Sequence, residues 1–379
     1  MKITYISSFD ATDISSYSGT GYFIPHKLKE SGDTVKYIGK LKEYTPIYQK
    51  VKRKLYELSG KNYLIERNPA LLSRWGVQIE KQLDISTEVL VGYSSQPFAG
   101  LNARKPSVFW ADAVFGSMID YYPVYSNLCA ESLRDGNAAE KAALDNVDIA
   151  VFSSKWAADA AVRLHGADPK KVRVVTYGAN IDVDYNLTDI EEKAKAKEMS
   201  FCNLLFLGVE WERKGGDKAV EITRLLNENG LKAQLSIIGV DPGAEVSALD
   251  YVKTYGFVSK SNAEGKKLLN DVIANSHFLL LPTRADCTPI VYSEFNAHGI
   301  PVITTTEGGI PSIVTDGING YMFDKDDTAE TFSQCIIDLM RNKSKYVALS
   351  KSAFNEYKTR LNWDSAISRF RAVLKEVGE

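Results

Sequence analysis

Short apolar runs alternate with longer amphipathic stretches along the whole chain. In the first half the runs are KITYIS from Lys2, TVKYIG from Thr34, TEVLVGYSS from Thr87, SVFWAD from Ser107, DIAVFSS from Asp148 and KVRVVTYG from Lys171. In the second half they are NLLFLG from Asn203, AQLSIIG from Ala233, YVKTYGFV from Tyr251, HFLLLPT from His277 and IPVITT from Ile300. Runs of this length read as buried strands, and the stretches between them read as helices. Strand–helix alternation predicts an α/β fold built on mostly parallel sheets with helices on both faces.

The pattern falls into two Rossmann-like α/β units, each opening with a strand followed by a glycine-containing loop. We place them at 1–185 and 200–360. The charged stretch DIEEKAKAKEM, from Asp189 to Met199, reads as a linker or a short solvated helix between them. From Asn362 the chain ends in an amphipathic helix, with Trp363, Ile367, Phe370, Val373 and Leu374 at helical spacing.

The 379 residues suit two domains of ordinary size, and 44% apolar with 25% charged residues is the balance of a globular protein. The net charge of −2 argues against a dedicated nucleic-acid binder. Cys129, Cys202, Cys287 and Cys335 show neither zinc-pair nor CxxC spacing, which suits a reducing, cytoplasmic compartment. MKITYISSFD is too short and polar for a signal-peptide core, and no apolar stretch is long enough for a membrane span.

The candidate chemistry sits where strands give way to helices. In HFLLLPTRADCTPIVYSEFNAHGIPVITT the strand ends near Leu281, Thr288 reads as an N-cap and Pro289 as the first helical residue. The helix runs to His298, and Gly299 suits the left-handed position after it. Backbone N–H groups near Ile290 and Val291, with the positive end of the helix dipole, form an anion site. Asp286 just before the helix and Glu294 within it add two carboxylates that can accept hydrogen bonds from a diol. Such a pair suits a ligand with both phosphate and hydroxyls, at the strand ends where open parallel sheets bind ligands.

A second element, NLLFLGVEWERKGGDKAVEI, places Arg213 and Lys214 at a strand-to-helix turn opened by Gly215 and Gly216. Two cations there fit a diphosphate, each charge-assisted hydrogen bond contributing roughly 1.5–3 kcal/mol. A third, SYSGTGYF, has Gly19 and Gly21 after the first strand, half of a dinucleotide fingerprint, in a loop that can approach donor phosphates. Each element alone also has a plain structural reading: an ordinary helix start, a solvated basic turn, a simple glycine turn.

Together these pieces resemble the GT-B fold glycosyltransferases, in particular the large retaining family usually called family 4. The resemblance is carried by FLGVEWERKGGD, RADCTPIVYSEFNAHGIPVITTTEGGIPSIV and DGINGYMF, between Asn203 and Phe323. It is weaker over DIAVFSSKWAADAAVRLHGADPKKVRVVTYGANID and weakest before Val108.

The resemblance implies a cytoplasmic, metal-independent enzyme, without cofactor, that moves a hexosyl-type sugar from a UDP- or GDP-sugar. The donor would lie in a cleft between an N-terminal acceptor-binding domain and a C-terminal donor-binding domain. The acceptor would be a glycan or a lipid-linked carrier. Glu294 would hold the ribose, Asp286 would face the donor sugar, Lys214 would meet the diphosphate, and the backbone near Gly256 to Val258 would meet the base. The family arginine of the first glycine turn is absent, Val209 or Glu210 standing in its place, so Arg213 takes over its charge. Asp286 replaces the usual Glu, and Ser312 stands at a usually acidic position. In VFWADAVFGSMIDYYPVY, Asp112 falls near the catalytic-site histidine of many relatives. The final helix, about 362–379, would return to the first domain.

Asp182-Val183-Asp184 has the DxD pattern of metal-binding glycosyltransferases of another fold; we read it as an interdomain turn, and Asp324 to Asp327 as a solvated turn. His26, His165, His277 and His298 are scattered and read as structural. The stretch from Lys40 to Arg67 mixes Lys50, Lys52, Arg53 and Lys54 with Tyr44, Tyr48, Tyr56 and Tyr63, which suits either anionic lipid or a solvated helix. Two rival functions stay open: a GT-B fold nucleotide-sugar isomerase or epimerase, and a non-catalytic nucleotide-sugar-binding subunit.

Overall fold

The computed structural model describes residues 1–14, 19–42, 45–102, 104–181, 183–259 and 262–377. The chain divides into two compact units, one of residues 1–180 with 363–379 and one of residues 181–362.

The first unit holds six parallel strands: β1 (Lys2–Ile6), β2 (Thr34–Ile38), β3 (Val89–Gly92), β4 (Ser107–Ala111), β5 (Ile149–Phe152) and β6 (Val172–Val174). Their order is β2-β1-β3-β4-β5-β6. Central strands are buried on both faces, as in VLVG, SVFWA and IAVF, whereas edge strand β2 alternates buried and exposed positions. The last helix, Trp363–Glu376, belongs to this unit. Phe370 stacks on Trp110 at 4.5 Å, Trp363 lies parallel to Phe23 at 5.9 Å, and the Trp363 indole N–H donates to Asn180 Oδ1 at 2.9 Å.

The second unit holds β7 (Phe201–Leu207), β8 (Lys232–Ile238), β9 (Val252–Thr254), β10 (Phe278–Leu281), β11 (Val302–Thr305) and β12 (Gly320–Phe323), all parallel. Their order is β12-β11-β10-β7-β8-β9. Connections run one way from β7 to β9 and the other way from β10 to β12, so the topological switch lies between β7 and β10. Leu204, Phe206, Leu235, Ile237 and the run Phe278 to Leu281 form the centre of its core.

Three local readings differ from the sequence pattern. Strand β12 was not among the predicted runs; it opens on a glycine and is only half-buried at the sheet edge. DIEEKAKAKEM is neither linker nor fully solvated. It contributes to a helix, Leu187–Ala196, whose Asn186/Asp189 capping box starts it and whose Ile190 and Ala194 are buried in the second unit. The YVKTYGFV run forms a strand only over Val252–Thr254.

Candidate functional site

The loops that follow β7 and β10 leave the sheet on either side of the switch point, where a parallel sheet opens a crevice for ligands. After β7 the chain turns sharply. Lys214 N donates to Glu210 O at 3.1 Å, Gly215 N to Glu212 O at 3.1 Å and Gly216 N to Trp211 O at 2.9 Å. Gly215 has φ of 73° and precedes the helix Gly216–Glu228. A Cβ on Gly215 would lie 2.0 Å from Pro282 O, so glycine is what lets this turn touch the end of β10.

The two loops are then laced together. Arg284 N and Thr283 Oγ1 both donate to Arg213 O, at 2.8 and 2.9 Å, and Arg213 Nη1 donates to Ala285 O at 2.8 Å. This lacing brings the Lys214 ammonium onto Asp286 Oδ2, with both residues buried, at 8% and 6% exposure. Arg213 Nη1 is 3.7 Å from the same oxygen, and its Nη2 donates to Glu210 Oε1 at 2.7 Å. That hydrogen bond is the main reason the Glu210 carboxyl is held below its usual range. The two neighbouring cations therefore divide: Lys214 points at Asp286, and Arg213 braces the loop through Glu210 and Ala285.

The helix Ile290–Ala297 begins one residue later than the sequence suggests, with Pro289 and not Thr288 at the N-cap. Asp286 is the cause. Its Oδ1 accepts from Thr288 N at 3.2 Å, while Thr288 Oγ1 turns back to Cys287 O at 2.6 Å. Ile290 and Val291 lie in the first turn, where backbone N–H groups precede any intrahelical acceptor. Glu294 follows in the next turn and is 8% exposed. Tyr292 anchors the helix, its hydroxyl 2.7 Å from Thr304 Oγ1, and Asn319 ties down the other end by donating to Asn296 Oδ1 at 2.7 Å.

Gly256 and Val258 follow β9 on the same carboxyl edge of the sheet. Gly256 has φ of 63°, and its carbonyl accepts from Gly239 N at 2.8 Å. Ser312 lies in the short 3-10 turn Ile310–Ser312. Gly309 N donates to Asp286 O at 3.0 Å, so the EGG segment also braces Asp286. That bracing, like the laced loops, has no signal in local sequence because it depends on strand order.

Gly19, Gly21 and Asp112 belong to the first unit. Gly19, with φ of 89°, starts the helix Thr20–Glu30. A Cβ on Gly21 would lie 2.4 Å from the Phe9 ring, so packing accounts for that glycine. The residues 15–18 before them lie outside the described set, as do Asp182 of the DxD pattern and Tyr44. Asp112 is half-buried at the carboxyl end of β4. Its loop is held from below: Phe115 N donates to Glu140 Oε2 at 3.1 Å and Gly116 N to His165 Nε2 at 3.0 Å. Arg67 pairs with Glu140 at 3.1 Å, both buried. Burial pushes the His165 imidazole pKa down, which suits its role as acceptor. The sequence reading missed Arg67 and Glu140, which carry no motif.

Two parallel six-stranded sheets with helices around them are the architecture of the GT-B class. Residues 202–342 match the sequence profile of the family described as Glycosyl transferases group 1. The match takes in Lys214, Asp286 and Glu294. D-inositol 3-phosphate glycosyltransferase 1 of Catenulispora acidiphila is 24% identical over 257 residues, 64% of this chain and 60% of that one. The chain spans 38%, 46% and 60% of the length of three curated relatives that it matches. Among solved structures, Anabaena HepE in complex with UDP has a TM-score of 0.65 at 13% identity, covering 99% of this chain and 100% of that one. WaaG, a glycosyltransferase involved in lipopolysaccharide biosynthesis, has a TM-score of 0.63 at 13% identity, covering 98% and 99%.

Proposed function

We propose that the protein is a retaining, metal-independent glycosyltransferase that moves a hexosyl-type sugar from a UDP- or GDP-sugar to a glycan or lipid-linked acceptor. We place it in the cytoplasm, with peripheral membrane contact through residues 40–67. The observation that carries the reading is the joining of Lys214 to Asp286, just before the helix Ile290–Ala297 that carries Glu294, at the switch point of a segment matching the group 1 glycosyltransferase model. The UDP bound to HepE and the lipopolysaccharide role of WaaG support the donor and acceptor classes.

In this reading the leaving diphosphate gains negative charge as the glycosidic bond breaks. An ammonium has three N–H donors, so Lys214 can hold Asp286 with one and meet the diphosphate with others. The first-turn amides at Ile290 and Val291 receive the same charge. Groups fixed before the reaction stabilise the transition state more than the ground state, which replaces the metal of other glycosyltransferases. Glu294 accepts from the ribose hydroxyls, the backbone at Gly256 and Val258 meets the base, and Asp286 faces the sugar. Gly19 and Gly21 remain candidate contacts for the donor phosphates, and Asp112 a candidate group near the reacting centre.

The test is to incubate the protein with UDP-glucose and with GDP-mannose, without metal, and follow the release of nucleoside diphosphate that accompanies slow transfer of the sugar to water. The reading expects release with one donor, roughly 10²–10³-fold slower in Lys214→Met. An epimerised nucleotide sugar formed without acceptor would instead identify an isomerase. Binding without any release or transfer would leave only a nucleotide-sugar-binding subunit.

A further inference from the structure

The helix Ile47–Leu58 is turned inside out. A surface helix ordinarily lays its apolar stripe on the core and shows its polar face to water. Here only Gln49 is buried. The edge facing the first unit is made by Gln49, by Tyr56 stacked on Tyr63 at 5.5 Å, and by Lys52 paired with Glu131 at 2.5 Å. At 100° per residue, Ile47, Tyr48, Val51, Leu55 and Leu58 share one arc on the side away from that edge. All five are exposed, Ile47 by 81% and Leu58 by 79%. Lys50, Arg53 and Lys54 flank the arc, and all three are exposed. The one acid on this flank, Glu57, sits 3.5 Å from Arg53.

We propose that this helix lies in the interface of an anionic membrane. The apolar arc enters the boundary between headgroups and acyl chains, and Lys50, Arg53 and Lys54 meet lipid phosphates. The charge complement selects this occupant: an apolar arc with a cationic border matches an anionic bilayer, and the helix is long enough, about 18 Å, to lie flat on one. Lys52 and Tyr56 stay with the protein and fix the helix orientation. The proposal deepens the membrane-contact and lipid-linked-acceptor parts of the functional reading and rests on them for its purpose; vesicle binding is read without any sugar transfer.

The experiment is sedimentation of the full chain with vesicles of phosphatidylcholine mixed with phosphatidylglycerol, against pure phosphatidylcholine vesicles. The native protein is expected to bind the mixed vesicles and to release in high salt. Replacing the three cations together (Lys50→Gln, Arg53→Gln, Lys54→Gln) should weaken binding on the order of a hundredfold. Val51→Ser with Leu55→Ser should weaken it about tenfold or more. These positions are exposed, so unfolding temperature and any response to UDP should not change. No binding of the native protein to mixed vesicles, or binding that Val51→Ser with Leu55→Ser leaves intact, overturns the proposal. A native dimer that the same pair of changes converts to monomer also overturns it, and gives the face to a second copy. Absence of any UDP response in the native protein, with vesicle binding intact, would sink the donor reading and leave the membrane one standing.

Discussion

Lys214 and Asp286 are 72 residues apart in the chain, yet their charged groups meet in the interior of the second unit, at the reversal of its strand order. A buried ion is tolerable only with a partner, so each makes the other's burial possible.

Removing one member therefore tests structure and chemistry together. Lys214→Met leaves Arg213, at 3.7 Å, as the cation facing Asp286. It should lower the unfolding free energy by roughly 3 kcal/mol, read by urea titration. Adding Asp286→Leu should recover much of that loss while UDP binding stays weak in both. Stability that falls further in the double variant would contradict the pairing.

Two histidines make stability depend on pH. Burial, with Lys197 beside it, lowers the pKa of His277 from 6.5 to about 4, and burial with Lys193 does the same for His298. Asn203 N donates to His277 Nδ1 at 3.0 Å, and His277 Nε2 is 2.8 Å from Glu198 O, so the native ring is the neutral tautomer. Between the folded and unfolded values the unfolded chain holds the proton and the folded chain does not. Stability is thus full above about pH 6.5 and falls as pH drops toward 4, by roughly 2 kcal/mol per ring at pH 5. Urea unfolding of His277→Gln at pH 5 and pH 7 should show a shallower fall than native protein; an unchanged slope would contradict it.

The glycine turns are unequal. Gly215 and Gly256 both have positive φ, 73° and 63°, but a side chain on Gly215 would strike Pro282 O while one on Gly256 meets open space. Gly256→Ala should cost about 1–2 kcal/mol, the strain of the left-handed conformation alone. Gly215→Ala should cost more, about 3 kcal/mol or above, and should weaken UDP binding by shifting Lys214. Equal costs would show that the close approach to β10 does not hold in solution.

In the first unit Glu140 holds Arg67 and the amide of Phe115 beneath the Asp112 loop. Glu140→Ala should destabilise that unit by about 3–5 kcal/mol by leaving Arg67 buried without its carboxylate. Glu140→Gln keeps an acceptor for Phe115 N and should cost less. Calorimetry of the two variants compares them directly: Glu140→Gln also removes the charge facing Arg67, so a Glu140→Gln variant as stable as the native protein would contradict the ion-pair account.

The parallel architecture was legible because central strands buried on both faces read as unbroken apolar runs, such as FLLL at β10. Strand β12 was not legible, since half-buried GYMF at a sheet edge has no such run. The helix after β10 was placed one residue early because Thr288 looks like a cap, and only the fold shows Asp286 taking its amide. KGG and the two acids named the candidate residues, but the meeting of Lys214 with Asp286 follows from strand order, which local sequence does not encode. The 40–67 stretch showed its cations in sequence; that the apolar arc of its helix faces outward follows from how Tyr56 and Lys52 are held.

The central claim is that the crevice between β7 and β10 takes a nucleoside diphosphate. Titrating the native protein with UDP, GDP and ADP while following thermal unfolding tests it most directly, because a ligand bound by the folded state raises the melting temperature by mass action. The account predicts a rise with UDP or GDP in the absence of metal, no such rise with ADP, and loss of the rise in Glu294→Ala. No rise with any of the three, with or without added divalent cation, or a rise that Glu294→Ala leaves intact, would contradict it.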